Sequence, residues 1–173
     1  MSGPEIIISI EAGPWAEKIA GVEERCQRVA AIALSTGAAL LEDLPLERAE
    51  LSLVLADDAM VQELNRQYRG QDKPTNVLSF PGREPIETAH ALGDIAIAHE
   101  TVMREAQEQG KTVEQHCRHM IVHGFLHLLG YDHEEETEAE AMEAMEIRIL
   151  RRLGDDNPYR EHESKETSDN ERA

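Results

Sequence analysis

The sequence predicts an α+β fold, on two observations. Four short segments with strand patterning fall within the first hundred residues, and beyond residue 98 the apolar residues recur at helical spacing. The first strand is Ile6 to Ile10, a β-branched run suited to burial. Residues 15–36 then show helical spacing through Ile19, Val22, Cys26, Val29 and Ala33. Leu51, Leu53 and Leu55 alternate with Ser52, Val54 and Ala56 as a second strand, after which Asp57 or Asp58 can cap a helix reaching about Gln67. Residues 68–76, YRGQDKPTN, have the glycine, proline and polar residues of a loop. Val77 to Phe80 is extended and ended by Pro81, and Gly93 to Ala98 (GDIAIA) is the fourth strand.

The helical part begins with His99 to Gln109, which ends at Gly110. Thr112 with Gln115 forms a capping box for a helix running to Leu129, and Gly130 is placed to close it in a left-handed conformation. A last helix, Glu134 to Leu153, stops at Gly154; its repeated glutamates read as a solvated face, with Met142, Met145, Ile149 and Leu153 turned inward. Residues 155–173 hold few apolar side chains and read as a disordered acidic tail, leaving residues 1–154 as one domain without internal repeats.

Composition bounds the function. The 173 residues include 17 Lys+Arg and 35 Asp+Glu, a formal charge of −18, and 40% are apolar, enough for one core. Aromatics are only 3%, which argues against broad base-stacking platforms, and the acidity argues against non-specific gathering of nucleic acid or anionic membrane. No apolar run is long enough to span a bilayer, and residues 1–11 carry no basic leader region, so a cytoplasmic protein is expected. Cys26 and Cys117 lie far apart with no C-x-x-C, and read as reduced, partly buried thiols.

Chemistry concentrates in HGFLHLLGYDH, residues 123–133. His123 and His127 are four apart on a predicted helix, so their rings share a face and can share one ion. Gly130 lets the chain turn, and His133 can swing back as a third ligand. Three histidines leave one position open for water, as a catalytic zinc needs, whereas a structural zinc is closed by a fourth protein ligand. His116 and His119 share the helix but are not required as ligands, and His90, His99 and His162 stand alone. The spacing matches the metzincin pattern H-E-x-x-H-x-x-G-x-x-H except that Gly124 stands where a protease carries its glutamate base. Water on a zinc ion has a pKa of about 7 and supplies a nucleophile without that base. The missing carboxylate is therefore less damaging to phosphodiester cleavage than to proteolysis.

These residues, with YRGQDKPTNVLSFP (residues 68–81) and LGDIAIA (residues 92–98), resemble the YbeY family of bacterial endoribonucleases and rRNA maturation factors over most of residues 5–154. The resemblance implies a small mixed four-stranded sheet packed with about five helices, and one zinc ion on His123, His127 and His133. It also implies single-strand-specific RNA cleavage, maturation of the 3′ end of small-subunit rRNA and ribosome quality control. The expected partners are single-stranded RNA and the small ribosomal subunit or its assembly proteins, not DNA or membrane. Catalysis is assigned to the metal, and so to His123, and to Arg69, the arginine of the family's YR motif. Arginine's planar fork matches two phosphate oxygens, although Asp72 or another nearby carboxylate would pair with it as readily. Lys73 is a weaker candidate, because residues 72–76 read as shaping the loop, with Pro74 fixing φ and Asn76 bonding the backbone.

Two rival readings remain: a metallopeptidase of metzincin-like motif, and a non-catalytic ribosome-assembly factor with a structural metal. Charge distribution bears on the choice. Residues 134–173 carry 14 acidic and 6 basic residues, net −8, downstream of the histidine motif, while residues 62–85 are net +1 through Arg66, Arg69, Lys73 and Arg83. The acidity then predicts slow, salt-sensitive activity on naked RNA, with a partner presenting the substrate.

Overall fold

A computed structural model describes residues 4–40, 46–82 and 91–159. Its four strands are β1 (Glu5–Ile10), β2 (Glu50–Ala56), β3 (Val77–Pro81) and β4 (Ala91–Ala98). They form one sheet in the order β1-β2-β4-β3. β1, β2 and β4 run parallel, and β3 returns antiparallel to β4 at one edge, so the sheet is mixed. The helices are α1 (Trp15–Lys18), α2 (Val22–Gly37), α3 (Asp58–Arg69), α4 (His99–Glu108), α5 (Val113–Leu128) and α6 (Glu136–Arg152). None of them is long and apolar enough to cross a membrane.

Strand alternation sends side chains to two unequal layers. Leu51, Leu53 and Leu55 of β2 and Ile95 and Ile97 of β4 are buried in the main core with α2, α5 and α6. On the other face Ala56, Leu78, Ala96 and Ala98 pack with Val61 of α3 in a smaller cluster. α5 is the central helix: ten of its residues are buried, and it touches the sheet and α2, α4 and α6. Its predicted capping box is present, with Gln115 N–H donating to Thr112 Oγ1 at 3.1 Å and Thr112 N–H to Gln115 Oε1 at 3.0 Å. At its other end Gly130 has φ +99°, and Tyr131 N–H reaches back to the Leu126 carbonyl at 3.0 Å. Asp57 caps α3 by accepting from Met60 N–H at 2.9 Å.

Three expectations change. The helix predicted over residues 15–36 is broken into α1 and α2 at Gly21, whose φ of +63° is left-handed. The break lets Trp15 turn fully inward and donate from Nε1 to the Ala56 carbonyl at 3.0 Å. On α6 the inward face includes Leu150, with Leu153 only half-buried, and it also includes a glutamate, Glu146. Finally, Asp155–Tyr159, assigned to the tail, folds back on the helices: Asp155 takes both prongs of the Arg118 fork at 2.6 Å. Packing thus continues to Tyr159, while residues 160–173 lie outside the described residues. Cys26 and Cys117 are free thiols buried in the main core, where the proximity of Cys26 and then burial push the Cys117 thiol well up.

Candidate metal centre

The three histidines of residues 123–133 meet at the C-terminal end of α5. His123 and His127 lie one turn apart on the helix, and the left-handed Gly130 reverses the chain so that His133 returns toward them. One ring nitrogen from each can be chosen so that all three lie within 4.8 Å of one another. The Nε2 atoms of His123 and His127 are 3.1 Å apart. Two nitrogens on a tetrahedral zinc at about 2.0–2.1 Å stand about 3.3–3.4 Å apart, so the His123–His127 pair already suits such an ion, and the third imidazole would draw in from within the 4.8 Å that bounds the set. Burial first, then the neighbouring His123 and His133, holds the His127 imidazole below its usual pKa, which favours the neutral, ligating form.

A buried carboxylate from another element fixes the first of these rings. Glu146 of α6 is 1% exposed, and its Oε1 accepts from His123 Nδ1 at 2.7 Å, which leaves Nε2 of that ring facing the cluster. Its other oxygen accepts from His119 Nε2 at 2.7 Å and from the Tyr159 hydroxyl at 2.5 Å. Burial by itself would raise the Glu146 pKa, but the hydrogen bonds from His119 and His123 outweigh it and bring it down to about 2. Tyr159 is pushed far up, by burial and then by the Glu146 charge, so its phenol stays a donor. His119 is thus bound to the carboxylate behind the cluster, and His116 pairs with Glu105 at 3.0 Å. His99 is buried edge-on against the Trp15 ring at 4.8 Å.

The open side of the cluster faces a cleft of about 560 Å³ whose walls include His123, His127, His133 and Arg69. Arg69 ends α3, immediately before the left-handed Gly70. Among the described residues it makes no ion pair; its guanidinium rests 3.4 Å from the Ser79 carbonyl on β3. Asp72, the suspected partner, instead accepts from Gln62 at 3.0 Å. Lys73 is absent from the cleft wall, and Arg83 lies outside the described residues. Asn76 bonds the backbone, its Oδ1 accepting from Val77 N–H at 2.7 Å, and its amide also donates to Glu105 at 2.9 Å. Buried Asn65 shapes the same loop by donating to the Lys73 carbonyl at 2.9 Å.

Gly124 does not face the cleft. A Cβ there would lie 3.1 Å from two side-chain atoms of Ile95 and 3.2 Å from Val77, so the position is filled by close contact of α5 with the sheet. The Gly124 carbonyl accepts from Ser79 Oγ at 3.1 Å. Any side chain at this position would press on Ile95 and Val77, which would have to give way to admit it.

Glu146, Tyr159 and Ser79 were not singled out from sequence. Glu146 was legible in principle, because it stands four residues after Met142 and three before Ile149, on the buried stripe itself.

Fold and cleft together define a class: small α+β proteins with three imidazoles gathered at a glycine-closed helix end and an arginine on the wall of the same cleft. The family model described as endoribonuclease YbeY matches residues 16–154. An endoribonuclease YbeY of Methylocella silvestris is 49% identical over 158 residues, covering 91% of this chain and 87% of that protein. One of Paramagnetospirillum magneticum is 50% identical over 163 residues, covering 91% and 96%. The solution structure of a Thermotoga maritima protein aligns with a TM-score of 0.56 and 26% identity, over 92% of this chain and 93% of that one. The chain belongs to the endoribonuclease YbeY family.

Proposed function

We propose that this chain is a metal-dependent endoribonuclease that cuts single-stranded RNA in maturing the 3′ end of small-subunit rRNA, with His123, His127 and His133 holding zinc and Arg69 holding the phosphate. The observation that carries the reading is one cleft in which three imidazole nitrogens within 4.8 Å of one another share a wall with an arginine that has no carboxylate partner among the described residues. An ion held there supplies Lewis acidity to a phosphodiester. The Arg69 fork binds two oxygens of the same phosphate and offsets charge that builds up in the transition state. Glu146 holds His123 in the tautomer that presents Nε2. The packing at Gly124 disfavours the metallopeptidase reading, since Ile95 and Val77 crowd the position where the protease pattern carries its glutamate.

The net charge of −18 supports weak binding to free RNA, so a ribosomal particle or assembly protein that presents the substrate suits this cleft better than capture from solution. The test is cleavage of a single-stranded RNA and of its duplex, with the metal content of each protein measured in parallel. His123→Ala should lose both metal and cleavage, and Arg69→Ala should lose cleavage by at least ~100-fold with metal retained. Full cleavage by verified zinc-free His123→Ala protein would overturn the mechanism. Restoration of rRNA processing by metal-stripped protein would favour the assembly-factor reading.

A further inference from the structure

Beside the metal cleft lies a second groove, of about 720 Å³, between α3 and the sheet face that the main core leaves uncovered. Arg69, Ser79 and Pro81 line both spaces, so the two communicate across the edge strand β3. The groove wall is apolar, formed by Val54, Met60, Leu64, Phe80 and Ala96. At its lip stands Tyr68, 70% exposed, the residue before Arg69. The Tyr68 and Phe80 rings are 5.3 Å apart at 60°, so the edge-on contact steadies Tyr68 while leaving much of its ring open to solvent.

The polar side chains in the wall say what such a groove accepts. Ser52 and Asp94 are hydrogen-bonded to each other there, and Asp94 carries the one carboxylate among the described residues of the wall. A carboxylate repels phosphate and accepts from the N–H groups of a nucleobase, while the Arg69 cation stands at the junction with the metal cleft. A strand whose phosphate lies on Arg69 and the histidine cluster would thereby carry a neighbouring base into the groove. Few aromatics exclude a broad stacking platform, but one ring suffices for one base.

We propose that Tyr68, braced by Phe80, is the stacking platform for the unpaired base next to the scissile phosphate, with Asp94 facing that base's donors. The proposal rests on reading the neighbouring cleft as a ribonuclease site, and it gives single-strand preference a physical cause. A base held in a duplex has its faces covered and cannot stack on Tyr68.

The experiment uses the full chain and a short single-stranded RNA in which one position at a time carries 2-aminopurine, for binding, or an abasic nucleotide, for cleavage. Tyr68→Ala should weaken binding and raise KM about tenfold, as base–aromatic stacking implies, with a smaller change in kcat. Tyr68→Phe, which keeps the ring, should rescue both. One abasic position adjoining the cut should cost the unaltered protein a similar factor and cost Tyr68→Ala nothing further. If Tyr68→Ala binds and cleaves normally, or loses as much as the unaltered protein to every abasic position, the proposal is overturned while the nuclease reading stands; the groove would then suit a protein partner. If the unaltered protein cleaves no RNA, that reading fails, and 2-aminopurine quenching that depends on Tyr68 still decides the subsite: its presence supports the platform and its absence overturns it.

Discussion

Glu146 shows how a single buried side chain can govern a cluster to which it contributes no ligand. One of its oxygens holds His123, and the other is shared by His119 and Tyr159. Removing the charge while keeping the shape, as in Glu146→Gln, leaves an amide that cannot accept from all three donors. Ring orientation and basicity of His123 then loosen, and metal affinity should fall about 10- to 100-fold, read by competition with a chromophoric chelator. Unchanged affinity would mean that His123 is oriented by packing alone. The clustering of the histidines was readable because their spacing dictates it, with two imidazoles one helical turn apart and a glycine before the third. Glu146 was not, because it is one of seven glutamates between residues 134 and 146 and composition alone makes that helix look solvated. Arg69 was a choice between phosphate and carboxylate in the sequence; among the described residues it makes no ion pair, and Asp72 bonds Gln62 instead.

At the level of elements, α5 is both the helix that carries two of the clustered histidines and the helix that covers the sheet, and the two duties meet at Gly124. The absence of a side chain there brings the helix against Ile95 and Val77 and lets its carbonyl take the Ser79 hydroxyl. Gly124→Glu would recreate the protease pattern H-E-x-x-H in sequence but not in space. The new side chain would collide with the sheet and bury a carboxylate against aliphatic groups. Overpacking costs about 1–3 kcal/mol and an unpaired buried charge adds more. The variant should therefore lose at least ~3 kcal/mol in urea unfolding and gain no activity on casein. A Gly124→Glu protein with an unchanged midpoint and new peptidase activity would contradict this account of the helix–sheet contact. The strands, the α3 cap, the capping box and the Gly130 closure were all legible, since each is set by local sequence. The α1–α2 break was not, because Ile19, Val22 and Cys26 keep helical spacing through it and only Gly21 marks the turn. Strand order was also hidden from spacing, because alternation says which face is buried and not which edges pair.

Over the whole molecule, charge is sorted by depth: most of the −18 lies outside the core, while His99, His116 and Glu146 are 2%, 2% and 1% exposed. Two opposing effects then act as pH falls. Protonating surface carboxylates relieves their mutual repulsion and favours the folded chain. The buried groups act the other way. Burial is the largest cause holding His99 and His116 below the usual histidine value, so the unfolded chain takes up their protons first, and stability declines as pH drops through about 6.5. Glu146, at about 2 in the folded protein, contributes stability above its ordinary value of 4.5, and that contribution is lost as pH falls from there toward 2. A pair in the core is screened less than surface charges a Debye length apart, so the buried groups should dominate. In chelator-treated protein at 0.15 M salt, the unfolding temperature should fall between pH 7 and 5, and fall further between pH 4.5 and 3. His99→Gln and His116→Gln together should shrink the first decline to the part left by His127, which burial also holds low, and leave the second in place. A temperature that rises steadily from pH 7 to 5 would show that surface repulsion, rather than the buried histidines, sets the stability of this fold.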